Sequence, residues 1–102
     1  MASGTLHTGN KTDYTGITGV AVSVKHGVAC IEAAVTPSTA NTWVEIGTLP
    51  SGYRPHLANI YFSVVETSSF TTASIIVYAN GSVQIKAPKA GYTYAGSTAY
   101  DT

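Results

Sequence analysis

Charge is scarce in this chain. Only 10% of its 102 residues are Asp, Glu, Lys or Arg, with five acidic side chains against five basic ones, where an average soluble domain carries about 25%. A neutral chain without a basic stripe does not displace counterions from nucleic acid. It is equally unsuited to an anionic membrane surface and is not a charge-rich disordered tail. Cysteine is limited to Cys30, so no disulfide forms within the chain and a cysteine-based metal site is excluded. Cys30 lies in an apolar run and reads as a small buried hydrophobe, since no cationic cluster adjoins it to activate a thiol. No apolar run approaches the ~20 residues of a membrane-spanning helix. Met1-Ala2-Ser3-Gly4 lacks a charged region leading into an apolar stretch, so no secretion signal is expected. Leucine, a favoured helix former, occurs three times.

Hydroxylated and β-branched residues fill the space. There are 15 Thr and 10 Ser, Val and Ile together number 17, and seven Tyr stand against two Phe. This composition favours strands and aromatic rings with a polar tip. Short β-rich runs alternate with turn residues, the pattern of an all-β sandwich or barrel. Residues 1–16 are polar and aperiodic, a linker or entry strand. In 17–25, Val20, Val22 and Val24 alternate with Ala21, Ser23 and Lys25. His26-Gly27 is a turn, and Val28 to Val35 returns. Further strands are expected at Trp43 to Ile46, Leu57 to Glu66, Thr71 to Tyr78, around Val83 and Ile85, and at Tyr92 to Tyr100. Two prolines make Leu49 to Pro55 irregular, and Asn80-Gly81 signals a hairpin. No stretch has a helical period with caps. One domain is expected, 17–102, since a chain this short does not support two cores.

The runs Ile60 to Val65 and Ile75 to Tyr78 are apolar on both faces. An antiparallel sheet normally wets one face, so either these strands sit centrally under loops or, the favoured reading, their outer side packs on another copy of the chain.

The segment Trp43-Val44-Glu45-Ile46-Gly47-Thr48-Leu49-Pro50-Ser51-Gly52-Tyr53-Arg54-Pro55, followed by Ile76-Val77-Tyr78-Ala79-Asn80-Gly81-Ser82-Val83-Gln84-Ile85, resembles the C-terminal head domain of bacteriophage tail receptor-binding proteins. These are the tail-fibre and baseplate heads of phages of Gram-positive bacteria. The similarity in strand order runs from about Ile17 to Tyr100; the Leu-Pro-x-Gly-Tyr-Arg-Pro run is its most specific part. It implies a small antiparallel β-sandwich or jelly-roll-like barrel, assembled as a homotrimer. It also implies a place at the tail tip of the virion, downstream of a tail-fibre or baseplate stalk that 1–16 would end. The implied activity is binding of a host cell-wall polysaccharide, without cleavage. The matched segments carry turn, strand and hairpin, and no ligand contact is carried over from them.

Chemistry read from the residues agrees with binding rather than catalysis. A glycosidase needs two carboxylates flanking one bond, and Asp13, Glu32, Glu45, Glu66 and Asp101 are scattered. No Gly-x-Ser-x-Gly elbow is present. His7, His26 and His56 lack metal-ligand spacing. No enzyme activity, cofactor or metal is therefore expected. A sugar site combines aromatic planes with hydroxyls, amides and a few charges. Trp43, the single tryptophan, precedes the Pro-Gly loop and is a ligand platform or a core filler. Tyr92 and Tyr94, two apart on one strand, form a stacking pair or a subunit contact. Arg54 grips an anion bidentately or fixes its own turn. His56 follows it as a polar contact, and Glu66 ends a strand among loop hydroxyls. Tyr61 and Tyr78 read as buried rings. The competing reading is a structural fibre-tip, trimerisation or decoration module, whose outer loops would lack aromatic clusters.

Overall fold

A computed structural model describes residues 11–102. Eight strands follow one another: β1 (Lys11–Ile17), β2 (Val20–Lys25), β3 (Val28–Val35), β4 (Val44–Thr48), β5 (Ile60–Glu66), β6 (Thr72–Val77), β7 (Ser82–Lys86) and β8 (Tyr94–Asp101). The described residues are all-β, and no helix among them is long and apolar enough to cross a membrane. Every pairing is antiparallel, in the order β1-β2-β3-β8-β5-β6-β7-β4. The sheet curls into a nearly closed barrel. Its two four-stranded halves meet at a short β5–β8 pairing, Val65↔Ala95 and Glu66↔Tyr94. At the open seam β4 approaches β1, where a Cβ on Gly47 would stand 2.5 Å from Ile17 Cγ1. Glycine is needed there so that the buried Ile17 side chain can close the seam.

One interior collects the inward-facing set. Val20, Val22 and Val24 oppose Ala33, Ile31 and Ala29; beyond the β8 junction, Ile75 joins Phe62 to Ile85 and Val77 joins Ile60 to Val83. This is period-two alternation, one face dry and one wet. Several boundaries differ from the sequence expectation. The run 17–25 is broken by a turn at Thr18-Gly19, so Ile17 closes β1 and Val20 opens β2. The fourth strand begins at Val44, leaving Trp43 outside it, and runs through a bulge to Thr48. β5 begins only at Ile60, and Leu57 lies in a loop. Asn80-Gly81 forms its hairpin through a three-residue loop: the Gly81 N–H donates to the Tyr78 carbonyl at 2.8 Å, and Gly81 takes the left-handed position at φ 96°.

On the outer face of the two-sided apolar strands the side chains divide. Ile76 points away from the interior, in register between Tyr61 and Gln84, yet is only 5% exposed within the single chain. Tyr61 on the same outer face is 68% exposed, not the buried ring expected. Cys30 is exposed as well, because β3 presents it outward opposite Ser23 and Ala99.

Antiparallel order puts successive connections at alternate ends of the barrel. Lys11 opposes Val24, and Asp101 opposes Val28. Both ends of the described chain therefore lie at one pole, the base, with the 26–27 turn, the 49–59 loop and the 78–81 turn. The other connections, 18–19, 36–43, 67–71 and 87–93, form the distal pole.

Candidate functional site

The distal pole is built by two long loops sewn together. The Asn41 N–H donates to the Ala87 carbonyl at 2.7 Å, and the Gly91 N–H to the Pro37 carbonyl at 2.9 Å. The hydroxyls of Thr36 and Thr93 share a hydrogen bond of 2.7 Å. These bonds tie 36–43 to 87–93, and each loop holds an aromatic ring outward. Trp43 is 40% exposed and Tyr92 is 49% exposed, with Lys89 Nζ 5.8 Å from the centre of the Tyr92 ring.

The third distal connection is organised by Glu66. Its carboxylate accepts the Ser68 hydroxyl at 2.7 Å, the Ser69 hydroxyl at 2.7 Å, and the N–H groups of Ser68 at 3.1 Å and Ser69 at 3.0 Å. Hydrogen bonds from Ser68 and then Ser69 lower its pKa to about 2. Glu66 is thus engaged in holding its own turn rather than offered to a ligand. The turn closes with the Phe70 N–H donating to the Glu66 carbonyl at 2.7 Å, leaving Phe70 at φ 58° and 77% exposed. A bulky residue in the left-handed region is uncommon.

The remaining expected site residues divide. Tyr94 is fully buried, its hydroxyl donating to the Lys89 carbonyl at 3.3 Å. The expected Tyr92–Tyr94 stacking pair therefore does not form: β8 starts at Tyr94, Tyr92 lies in the preceding loop, and only Tyr92 reaches the surface. Arg54 and His56 are at the base. Arg54 Nε donates to the Leu49 carbonyl at 2.8 Å, across its own loop and against Gly81. His56 is exposed, and its N–H donates to the Asp101 carbonyl at 2.9 Å. The structure gathers Trp43, Glu66 and Tyr92 at one pole and separates them from Arg54 and His56. Sequence reasoning missed Phe70 and Tyr61 as exposed aromatics. Among the described residues no group of three His, Cys, Asp or Glu side chains is placed to hold a metal ion. No family model matches the chain, and no curated protein matches it.

Proposed function

We propose that this chain is a non-catalytic receptor-binding head of a phage tail device, which adsorbs to a saccharide on the host cell wall through its distal pole. The observation that carries the reading is the polarity of the barrel. Trp43, Phe70 and Tyr92 stand exposed on three connections at the end opposite Lys11 and Thr102. A stalk joined at the base leaves that end facing outward. Aromatic planes beside Thr and Ser hydroxyls suit the apolar faces and hydroxyls of sugars. A purely structural fibre-tip or decoration module has no use for exposed rings at its free end. The resemblance of the 43–55 and 76–85 segments supports the same assignment.

Homotrimerisation belongs to this proposal. The outer face of β2, β3 and β8 carries Ala21, Ser23, Cys30, Ala34, Ala95, Ser97 and Ala99 around the charged Glu32, mostly small side chains that suit close approach of a flat neighbour. Shallow sugar contacts are individually weak, and repetition raises avidity without new contacts. Sedimentation with purified cell walls of candidate Gram-positive hosts tests the function, and light scattering tests the trimer. Wild-type protein sediments with walls of its host, and Trp43→Ala and Tyr92→Ala reduce that binding while His56→Ala at the base does not. Equal binding by all four proteins would place recognition elsewhere, and no binding to any wall would remove the saccharide.

A further inference from the structure

An open hollow of about 210 Å³ lies on the outer face of the β5–β6 hairpin, lined by Trp43, Tyr61, Phe62, Ser63 and Ser74. We propose that this hollow is a subsite for one uncharged pyranose ring, seated against Trp43 and Tyr61 and hydrogen-bonded by Ser63 and Ser74. The inference rests on the saccharide reading and gives it a place and a ligand class.

Four observations converge on it. The two aromatic side chains come from different elements, one from the end of the 36–43 loop and one from β5, and both are exposed. Ser63 and Ser74 are directly paired across β5 and β6, so their hydroxyls emerge side by side on the exposed face. Among the described residues no hydrogen bond occupies either hydroxyl. In contrast, Ser68 and Ser69 are committed to Glu66, and Ser82 donates to Glu45 at 2.6 Å. The hollow thus offers adjacent donor-acceptor groups that the fold itself does not use. Its size is the third constraint: 210 Å³ falls below the ~300 Å³ at which drug-sized ligand sites begin, so it holds a single ring rather than an oligomer. Charge is the fourth. No ionisable carboxylate or amine is among the lining residues. Lys86 is in register with Ser74 on the next strand but outside the lining. A neutral ring therefore sits in the hollow without an unpaired charge on either side, and the chain of which it is part continues across the open surface.

Trp43 is the single tryptophan, so its fluorescence reports binding beside it, and the Tyr61 and serine variants assign that signal to the hollow. The full-length protein is titrated with N-acetylglucosamine, galactose and rhamnose as neutral probes and with glucose 1-phosphate as a charged one. Sedimentation with insoluble Gram-positive cell walls runs in parallel. At least one neutral sugar is expected to change the emission saturably. The apparent affinity then falls tenfold or more in Tyr61→Ala and in the double variant Ser63→Ala/Ser74→Ala, while Leu57→Ser, exposed at the base and outside the hollow, titrates like wild type. Circular dichroism confirms that each variant is folded, and Tyr61→Phe, which keeps the ring, restores most of the affinity. Neutral titrations that are flat, or unchanged in the Tyr61 and serine variants, overturn the subsite. A response to glucose 1-phosphate alone overturns the neutral class. If these results accompany undiminished wall binding by every variant, the saccharide reading survives without this subsite. If wild-type protein binds no wall, that reading itself has failed.

Discussion

Gly81→Ala isolates the contact that joins the two base loops. A Cβ at position 81 would stand 2.5 Å from the Leu49 carbonyl oxygen and 2.5 Å from Arg54 Nε. Those two atoms are hydrogen-bonded to each other at 2.8 Å, and the Gly81 carbonyl accepts the Leu49 N–H at 2.8 Å. The methyl group therefore meets backbone that is held from both sides. Forcing an L-residue into the left-handed region costs roughly 1–2 kcal/mol. Displacing the Arg54 bond costs about 1.5 kcal/mol more, the low end for a charged donor because Arg54 is half-buried. The sum, about 3 kcal/mol, corresponds to a drop in Tm of roughly 12 °C or more for a domain near 100 residues. Typical domains hold about 5–15 kcal/mol, so the variant still folds. Gly91→Ala is the control: its φ is +82°, yet nothing lies within 4 Å of the added Cβ, and it should cost only the roughly 1–2 kcal/mol backbone term. Urea unfolding of both variants, with Arg54→Ala and Arg54→Ala/Gly81→Ala completing a cycle, separates strain from contact. The double variant should be clearly less destabilised than the sum of the singles. Gly81→Ala no worse than Gly91→Ala, or additivity within about 0.5 kcal/mol, would refute the reasoning.

Glu66 should make stability fall in acid. Its folded pKa is lowered from 4.5 to about 2, so its contribution is complete above pH 4.5 and disappears as pH falls towards 2. Urea midpoints measured across that window should decline more steeply for wild type than for Glu66→Gln, and equal slopes would contradict the role given to the carboxylate. Tyr100 shows the opposite sign: burial raises its pKa above the ordinary 10.0, so the stability it lends is full below pH 10 and is lost as pH rises further. The late ionisation of Tyr100 should appear as a difference in tyrosinate absorbance between wild type and Tyr100→Phe. Tyr100→Phe also removes the 2.6 Å hydrogen bond to the Tyr53 carbonyl, at a cost of about 1 kcal/mol, read by the same urea assay. Tyr94→Ala should be the most damaging of these, at about 3–5 kcal/mol for emptying a fully buried ring site; a loss below about 1 kcal/mol, the level of a surface change, would mean Tyr94 is not core.

The strand pattern was legible where alternation is uninterrupted and turns carry strong residues. Val20, Val22 and Val24, the His26-Gly27 turn and the 28–35 return all follow from period two. The Thr18-Gly19 turn escaped because Ile17 and Val20 are both apolar and Thr18 favours strands, although Gly19, which takes φ 79° in the turn, carried a turn signal. Their odd spacing, three apart, is the signal that one strand does not hold both on one face. Burial of side chains on the outer surface was not legible, since it depends on which strands become neighbours. Ile76 and Tyr61 are directly paired on that face, yet one is covered and the other open. Tyr92 and Tyr94 have the spacing of a shared face, but that inference holds only inside a strand, and β8 begins between them. Phe70 gave no signal at all: its exposure follows from a turn closed around the Glu66 carboxylate, with a left-handed residue where Gly or Asn is usual.

The division of the site residues between two poles follows from parity. Eight antiparallel strands put the start of the first and the end of the last at the same end, so the odd-numbered connections all lie opposite Lys11 and Thr102. Those four are 18–19, 36–43, 67–71 and 87–93, and they carry Trp43, Phe70 and Tyr92. The even-numbered ones include Leu49-Pro50-Ser51-Gly52-Tyr53-Arg54-Pro55 and Asn80-Gly81, which are joined by the Leu49–Gly81 hydrogen bond, the first being braced within itself by Arg54–Leu49. The recognisable loop segments are therefore the clamp that closes the base, held by backbone contacts that tolerate little change. The exposed aromatics occupy connections at the surface of the opposite end, where substitution alters the surface more than the barrel. If the proposed saccharide reading holds, a chain arranged this way can vary what its free end recognises while its base stays constant. On that reading the segments that carry the resemblance say nothing about the ligand, and specificity is to be sought at Trp43, Tyr61, Phe70 and Tyr92.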